Sequence, residues 1–237
     1  MIGAARSPVV QPVPLLLALS ATAGATDAIA FLALDGLFTA HITGNIVILA
    51  SQVVTRGNAD LAQLISVPMF MLALALARLL GLSLARQGDR TALDVLLLLQ
   101  VLLLLGFFLL GLRLGPAFDP DAPVPLLAGM LGVMAMAVQN ALVQTELPGA
   151  PTTAVLTTSI TRFTIALVDA AAASLDERAA ARAKVAALLP PILGFLAGCL
   201  AGVVLARQIG LAALMLPTFL ATVAALLATA SPGGTRP

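Results

Sequence analysis

Long apolar runs follow one another along this chain of 237 residues, at residues 14–34, 38–54, 61–85, 93–114, 124–145, 152–173, 185–206 and 209–230. Runs of about 17 to 25 apolar residues match the thickness of a bilayer's hydrocarbon core. In lipid each backbone N–H and C=O must be satisfied within its own segment, so such runs are expected to be helices. Composition agrees: 60% of residues are hydrophobic and 10% charged, against about 45 to 50% and about 25% in a soluble domain. The expected class is an all-α polytopic transmembrane bundle. The breaks between runs carry turn and stop residues: Asp35-Gly36, Arg56-Gly57-Asn58, Arg86-Gln87-Gly88-Asp89, Gly115-Pro116, Asp119-Pro120-Asp121, Pro148-Gly149-Ala150-Pro151 and Asp176-Glu177-Arg178. They are too short to hold a soluble domain.

Several function classes are excluded early. A lone Cys199 cannot form an internal disulfide, and one Cys with one His cannot build an ordinary all-protein zinc site. A net charge of +1 without a Lys/Arg cluster gives no nucleic-acid footprint. No cofactor motif is present, and neither is a Gly-x-Ser-x-Gly elbow, a His-Glu-x-x-His pair or a carboxylate-rich metal cluster, so an enzyme is not expected. The first run follows Arg6 and has small residues at Ala21 and Ala23, as a signal peptide would. It is long for a signal core and leads into further apolar runs, so it reads as an uncleaved first helix.

A polar phrase is written twice in this apolar text. Asp27-Ala28 is followed by Thr39-Ala40-His41-Ile42-Thr43-Gly44-Asn45, and Asn140-Ala141 by Thr153-Ala154-Val155-Leu156-Thr157-Thr158-Ser159, about 113 positions on. The endings Gly81-Leu82-Ser83-Leu84-Ala85-Arg86-Gln87 and Gly202-Val203-Val204-Leu205-Ala206-Arg207-Gln208 add to the similarity. Self-similarity on this scale implies duplication. It divides the membrane domain into repeats at 1–115 and 116–237, each with one helix bearing Asp27 or Asn140, one Thr-rich run and two plainer helices. If the Thr-rich runs at 38–54 and 152–173 cross fully, there are eight spans and parallel halves. If they are re-entrant, there are six spans and the halves are inverted, as in many secondary transporters. The six-span arrangement gathers Arg86, Arg90, Arg178, Arg182 and Lys184 on the cytoplasmic side and is preferred.

The candidate solute- or ion-binding residues are Asp27, Thr39, His41, Thr43, Asn45, Gln139, Asn140, Thr157, Thr161 and Arg162. Asp27 lies about 10 Å inside its run at 1.5 Å per residue. An ionised Asp costs roughly 2.5 to 3.5 kcal/mol near mid-bilayer, so it should be protonated, paired or wetted. The alternatives for it are a coupling carboxylate or a structural carboxyl satisfied by Thr or Arg162. Ala21, Gly24, Ala25 and Ala28 give its helix a small-residue face for close helix approach, and Gly129 and Gly132 do the same ahead of Asn140. In helical register Thr39 and Thr43 form one polar row and His41 and Asn45 another, with Gly44 as a breaking point. His41 suits either proton transfer or an interfacial position, and Asn45 either ligand contact or interhelical bonding. Thr153, Thr157, Thr161 and Thr164 share a helical face that lines a polar path or bonds back to its own helix. Arg162, ten residues into its run, is expected to pair with Asp27 or Asp169 or to receive an anion. Arg78, nearer a run's end, is expected to snorkel.

The strings Asp27-Ala28-Ile29-Ala30-Phe31-Leu32-Ala33-Leu34 and Phe38-Thr39-Ala40-His41-Ile42-Thr43-Gly44-Asn45-Ile46-Val47 resemble a signature of the YoaK-like family of uncharacterised bacterial multi-pass membrane proteins. Gln139-Asn140-Ala141 with Thr152-Thr153 and Thr157 is similar to that family's second signature, although Thr157-Thr158 stands where a second Thr-Gly pair is typical. The resemblance implies an inner-membrane protein of unknown role and supplies no substrate. The expected function is a small secondary transporter or channel for a small polar or ionic solute, with the lipid bilayer and a second copy as partners. The alternative is a structural or assembly protein whose polar groups join helices.

Overall fold

The computed structural model describes residues 13–57, 60–86, 91–115, 118–120, 122–147, 149–154, 156–174 and 176–230. The stop signals at Asn58, Gln87, Gly88, Asp89, Arg90, Pro116, Asp121 and Pro148, Val155 of the second phrase, and the leader question at Arg6 lie outside these residues. Each apolar run contains a helix: α1 (Val13–Ala33), α2 (Ile42–Arg56), α3 (Leu61–Leu84), α4 (Thr91–Gly111), α5 (Pro123–Glu146), α6 (Leu156–Ala172), α7 (Arg178–Ile209) and α8 (Met215–Ala230). The described residues include no strand. Among the described residues, five helical stretches are long and apolar enough to cross a membrane: α1, α3, α4, α5 and the continuous stretch Arg178–Ala230. Of these, α1 and α5 are the most buried.

The helix bounds differ from expectation where side chains compete for the backbone. α2 begins at Ile42 and α6 at Leu156, four residues later than the apolar runs suggest in each case. The intervening backbone is bonded elsewhere and cannot also form a helix. α7 begins earlier, at Arg178, because Arg178-Ala179-Ala180-Ala181-Arg182-Ala183-Lys184 is built from strong helix formers. Just ahead of it, the Ser174 hydroxyl and amide donate to Glu177 Oε2. Those hydrogen bonds, led by the hydroxyl's, hold the Glu177 carboxyl below its usual range. The last run opens with a 3₁₀ turn, Gly210–Leu214, which separates α7 from α8.

Contacts fix the helix directions. Gly194, Gly198 and Gly202 of α7 meet Leu17, Ala21 and Ala25 of α1 in the same order, so α1 and α7 run side by side in one direction. α4 runs opposite to α5, with Gly106 beside Leu131 and Gln100 bonded to Gln139. α8 runs opposite to α4: Gly111 meets Leu211 and Leu214, the Thr218 hydroxyl reaches the Leu104 carbonyl, and Leu97 clusters with Ala228. α3 and α5 share a direction, since Ala62 clusters with Ala128 and Ala77 with Val138 and Ala141. Thus α1, α4 and α7 run one way and α3, α5 and α8 the other.

α2 and α6 are hairpin partners of α3 and α7. After α1 the chain reverses through Asp35 (φ +49°) and Gly36 (φ +82°), left-handed conformations that Asp and Gly tolerate. It passes back beside Asp27, then leaves along α2, where Asn45 bonds Ser66 and Gln52 bonds Asp60 of the α3 side. The Gln63 amide donates to the Asp35 carbonyl, so this excursion starts and finishes at one end of the bundle. Gly57, at φ +72°, ends α2. The second excursion begins at Leu147, packed with Leu15 and Leu97 at the opposite end of the bundle. It reaches inward to Thr153 beside Gln139 and leaves along α6, antiparallel to the start of α7.

Candidate functional site

The first excursion is tied to α1 by a single carboxylate. Asp27 Oδ1 accepts hydrogen bonds from the Thr39 amide at 2.7 Å, the Thr39 hydroxyl at 2.8 Å and the Ala40 amide at 2.6 Å. Its Oδ2 lies 2.5 Å from His41 Nδ1. With Asp27 as a carboxylate, which only accepts, Nδ1 is the donor of this pair, and Nε2 is left to accept when the ring is neutral. Asp27 and Thr39 are buried, while the His41 side chain is 30% exposed. The imidazole sits edge-on to Phe195 of α7 with ring centres 5.3 Å apart, and edge-on to Phe38 at 6.1 Å. Asn45 closes the turn: its Oδ1 accepts from the Phe38 amide, and its Nδ2 donates to the Phe38 carbonyl and to Ser66 Oγ.

The second excursion is held at Thr153 by uncharged groups. Gln139 Nε2 donates to Thr153 Oγ1 at 3.0 Å and to the Leu19 carbonyl of α1 at 2.9 Å, while Gln139 Oε1 accepts from Gln100 Nε2 at 2.6 Å. All three side chains are buried. Ser159 closes this turn by donating to the Thr152 carbonyl, seven residues back, the same span that separates Asn45 from Phe38. The innermost residues of the two excursions, Ala40 and Ala154, belong to one buried cluster with Ala23, Ala135, Met136 and Phe195. Two non-helical segments therefore enter one buried cluster from opposite ends of the bundle.

A family model described as "Protein of unknown function (DUF1275)" matches residues 15–227. The chain belongs to the DUF1275 family. No curated protein and no solved structure matches it. Membership agrees with the expectation drawn from the Asp27 and Thr39–Asn45 strings. The match reaches each of the eight α-helices described in this DUF1275 protein, and both excursions.

The structure brings four of the expected site residues, Asp27, Thr39, His41 and Asn45, into the first centre and Gln139 into the second. Others fall elsewhere. Asn140 donates to the Met136 carbonyl of its own helix, so Gln139, and not Asn140, occupies the place corresponding to Asp27. Thr39 and His41 precede α2, so the helical rows Thr39/Thr43 and His41/Asn45 do not form, and Thr43 is exposed. Gly44 does not break the helix; it makes room for the Phe38 ring, since a Cβ there would lie 2.7 Å from Phe38 Cδ2. Thr153 is buried ahead of α6, whereas Thr157, Thr161 and Thr164 lie on its exposed surface, with Thr161 bonded back to the Thr157 carbonyl. Arg162 is exposed and pairs with neither Asp27 nor Asp169; Asp27 is already answered by four donors. Arg78 is exposed, as a snorkelling residue would be. Gly129 and Gly132 seat side chains, Leu37 and Phe107 with Thr39, in place of a neighbouring helix backbone.

Two further contributors carry a signal in the sequence. Gln100 is a lone amide in a run of leucines, and Gly194, Gly198 and Gly202 repeat at every fourth residue, the spacing of a close helix contact. Because Thr161 bonds only within α6 and Arg162 is exposed, Thr161→Val and Arg162→Ala should each melt within about 2 °C of wild type in detergent, as surface changes do. A larger drop would show that α6 packs against something further.

Proposed function

We propose that this protein is a small secondary transporter or channel for a small polar or ionic solute, seated in the bacterial inner membrane. It acts without a cofactor and not as an enzyme. The observation that carries this reading is the pair of non-helical excursions, entering from opposite ends and contributing Ala40 and Ala154 to one buried cluster. Broken elements at the centre of an inverted duplication are how many transporters place polar groups at mid-membrane. On this reading residues 1–115 and 116–237 are inverted halves. α1, α3, α4, α5, α7 and α8 cross, and α2 and α6 enter without crossing. The halves exchange partners accordingly, α1 packing on α7 and α5 on α3. Asp27 and His41 are the proton- or cation-coupling groups of an alternating-access cycle, and a homodimer is the expected assembly.

Hydrogen bonds from Asn45, Gln139 and Ser159 are spent on tethering, which is also what a structural or assembly protein would do. Two experiments divide the readings. Single cysteines at Thr55 and Ser174, in a Cys199→Ser background, should be labelled by an impermeant thiol reagent from opposite faces. Ser174 should be cytoplasmic, on the side of Arg86, Arg178, Arg182 and Lys184. Labelling of both from one face would overturn the inverted halves. Proteoliposomes should then show protein-dependent, pH-gradient-driven uptake of a member of a panel of small carboxylates, amino acids and inorganic ions. No such flux from correctly folded protein would leave the structural reading.

A further inference from the structure

The two tethers differ chemically, and the difference assigns them different work. We propose that only the first excursion, residues 37–41 leading into α2, is a proton-operated gate, and that the second, leading into α6, is held shut irrespective of pH. The inference rests on reading the two excursions as the gates of a transporter.

In the first tether, Asp27 Oδ1 accepts three hydrogen bonds, an arrangement whose strength depends on the negative charge. Oδ2 faces the Nδ1–H of His41. The partly exposed imidazole offers Nε2 to a first proton, which leaves the pair intact as an imidazolium facing a carboxylate. A second proton, taken up by Asp27, removes the charge. If it sits on Oδ2 it also sets two hydrogens against each other, O–H facing N–H. All four donors then face a weaker acceptor, and the segment loses the group that holds it to α1. Among the described residues, the ionisable groups facing Asp27 are His41 from the segment itself and Cys199 from α7. α5 presents Gly132 to Thr39 and no ionisable group. Arg162 does not reach the pair.

The second tether runs from Gln100 through Gln139 to Thr153 and the Leu19 carbonyl. Amides and a hydroxyl do not titrate in the range that cells experience. A proton therefore releases one side only. With the basic loops cytoplasmic, that side is the outer one, so acid outside opens the protein outward.

Hydrogen exchange measured by mass spectrometry on the full chain in nanodiscs tests this without a known substrate. After correction for intrinsic rates, peptides covering Thr39 and Ala40 should exchange about tenfold faster or more on acidification, as local opening replaces a charge-assisted tether. Peptides over residues 152–158 should not change. Gln139→Glu should confer pH dependence on the second segment. Asp27→Asn should abolish it in the first, and the wild-type titration stands alone if that variant does not fold. Equal responses in both segments, or none in the first, would overturn the proposal. Asymmetric exchange with no flux for any solute would refute transport and leave the proton-operated latch standing. pH-driven flux without the asymmetry would refute the one-sided gate alone.

Discussion

Replacing Asp27 by Ala should lower the melting temperature by about 5 to 20 °C. The substitution removes the acceptor of four donors at once: the Thr39 and Ala40 amides, the Thr39 hydroxyl and His41 Nδ1. Two of these have a way out. The hydroxyl can rotate, and the imidazole, 30% exposed, can swing outward. The two buried amides cannot, and an unsatisfied buried donor costs about 1 to 3 kcal/mol, so a loss of about 2 to 6 kcal/mol is expected. For a chain of this size each kcal/mol moves Tm by about 2 to 4 °C. Asp27→Asn keeps one carbonyl oxygen and should lose less. The molecule supplies its own probe: it has no Trp or Tyr, and Cys199, its one cysteine, is half-buried in α7. A dye that fluoresces on reacting with thiols therefore reports unfolding at that residue. An Asp27→Ala protein that melts within about 2 °C of wild type would mean that the carboxylate does not hold the excursion.

Gly198→Val should abolish the assembled bundle, and Gly198→Ala should already cost about 1 to 3 kcal/mol or more. A Cβ on Gly198 would lie 2.2 Å from the Ala21 carbonyl oxygen, and one on Gly24 2.3 Å from that of Phe195. Both obstacles are backbone, so no rotamer change relieves them, and the α1–α7 pair would have to separate along its length. Lipid offers no hydrophobic force to draw the helices back, since association there rests on packing and hydrogen bonds. Phe195 would move too, withdrawing the ring on which His41 rests. Gly106→Ala is the control: its Cβ meets only the tip of Leu131, at 3.1 Å. Size-exclusion profiles and circular-dichroism melts should separate the two sites clearly. Comparable behaviour of Gly198→Ala and Gly106→Ala would refute the close α1–α7 contact.

Much of the first centre could be read without coordinates because it is local. Asp27 and its partners Thr39, Ala40 and His41 are separated by one turn and a short return, so once α1 was read as a helix ending near Leu34 they had few places to go. The second centre was read one residue off. Gln139 and Asn140 are neighbours, yet about 100° apart around α5, and only one of them can face Thr153. α5 is apolar nearly all round, with no polar face to set its rotation; packing against α4 and α1 sets it, through Gln100 and the Leu19 carbonyl. Arg162 was misplaced for a related reason. A charge deep in an apolar run calls for a partner, but α6 is a half-length helix beside the start of α7, and it leaves Arg162 on the outside.

The sequence by itself determined that the chain is helical and which runs hold the helices, because a backbone surrounded by apolar side chains must bond to itself. It also marked the polar phrases at 39–45 and 153–159, but set both in helical register, whereas the backbone there leaves the helix only ahead of Ile42 and ahead of Leu156. The tertiary structure decided which side chains do so, from which end of the bundle each excursion enters, and that one tether is a carboxylate with an imidazole and the other a chain of amides. Those choices depend on helix rotation and contact order, which an apolar surface does not encode residue by residue. Backbone-to-backbone contacts such as Gly198 on Ala21, and the buried cluster that holds both Ala40 and Ala154, set them in three dimensions.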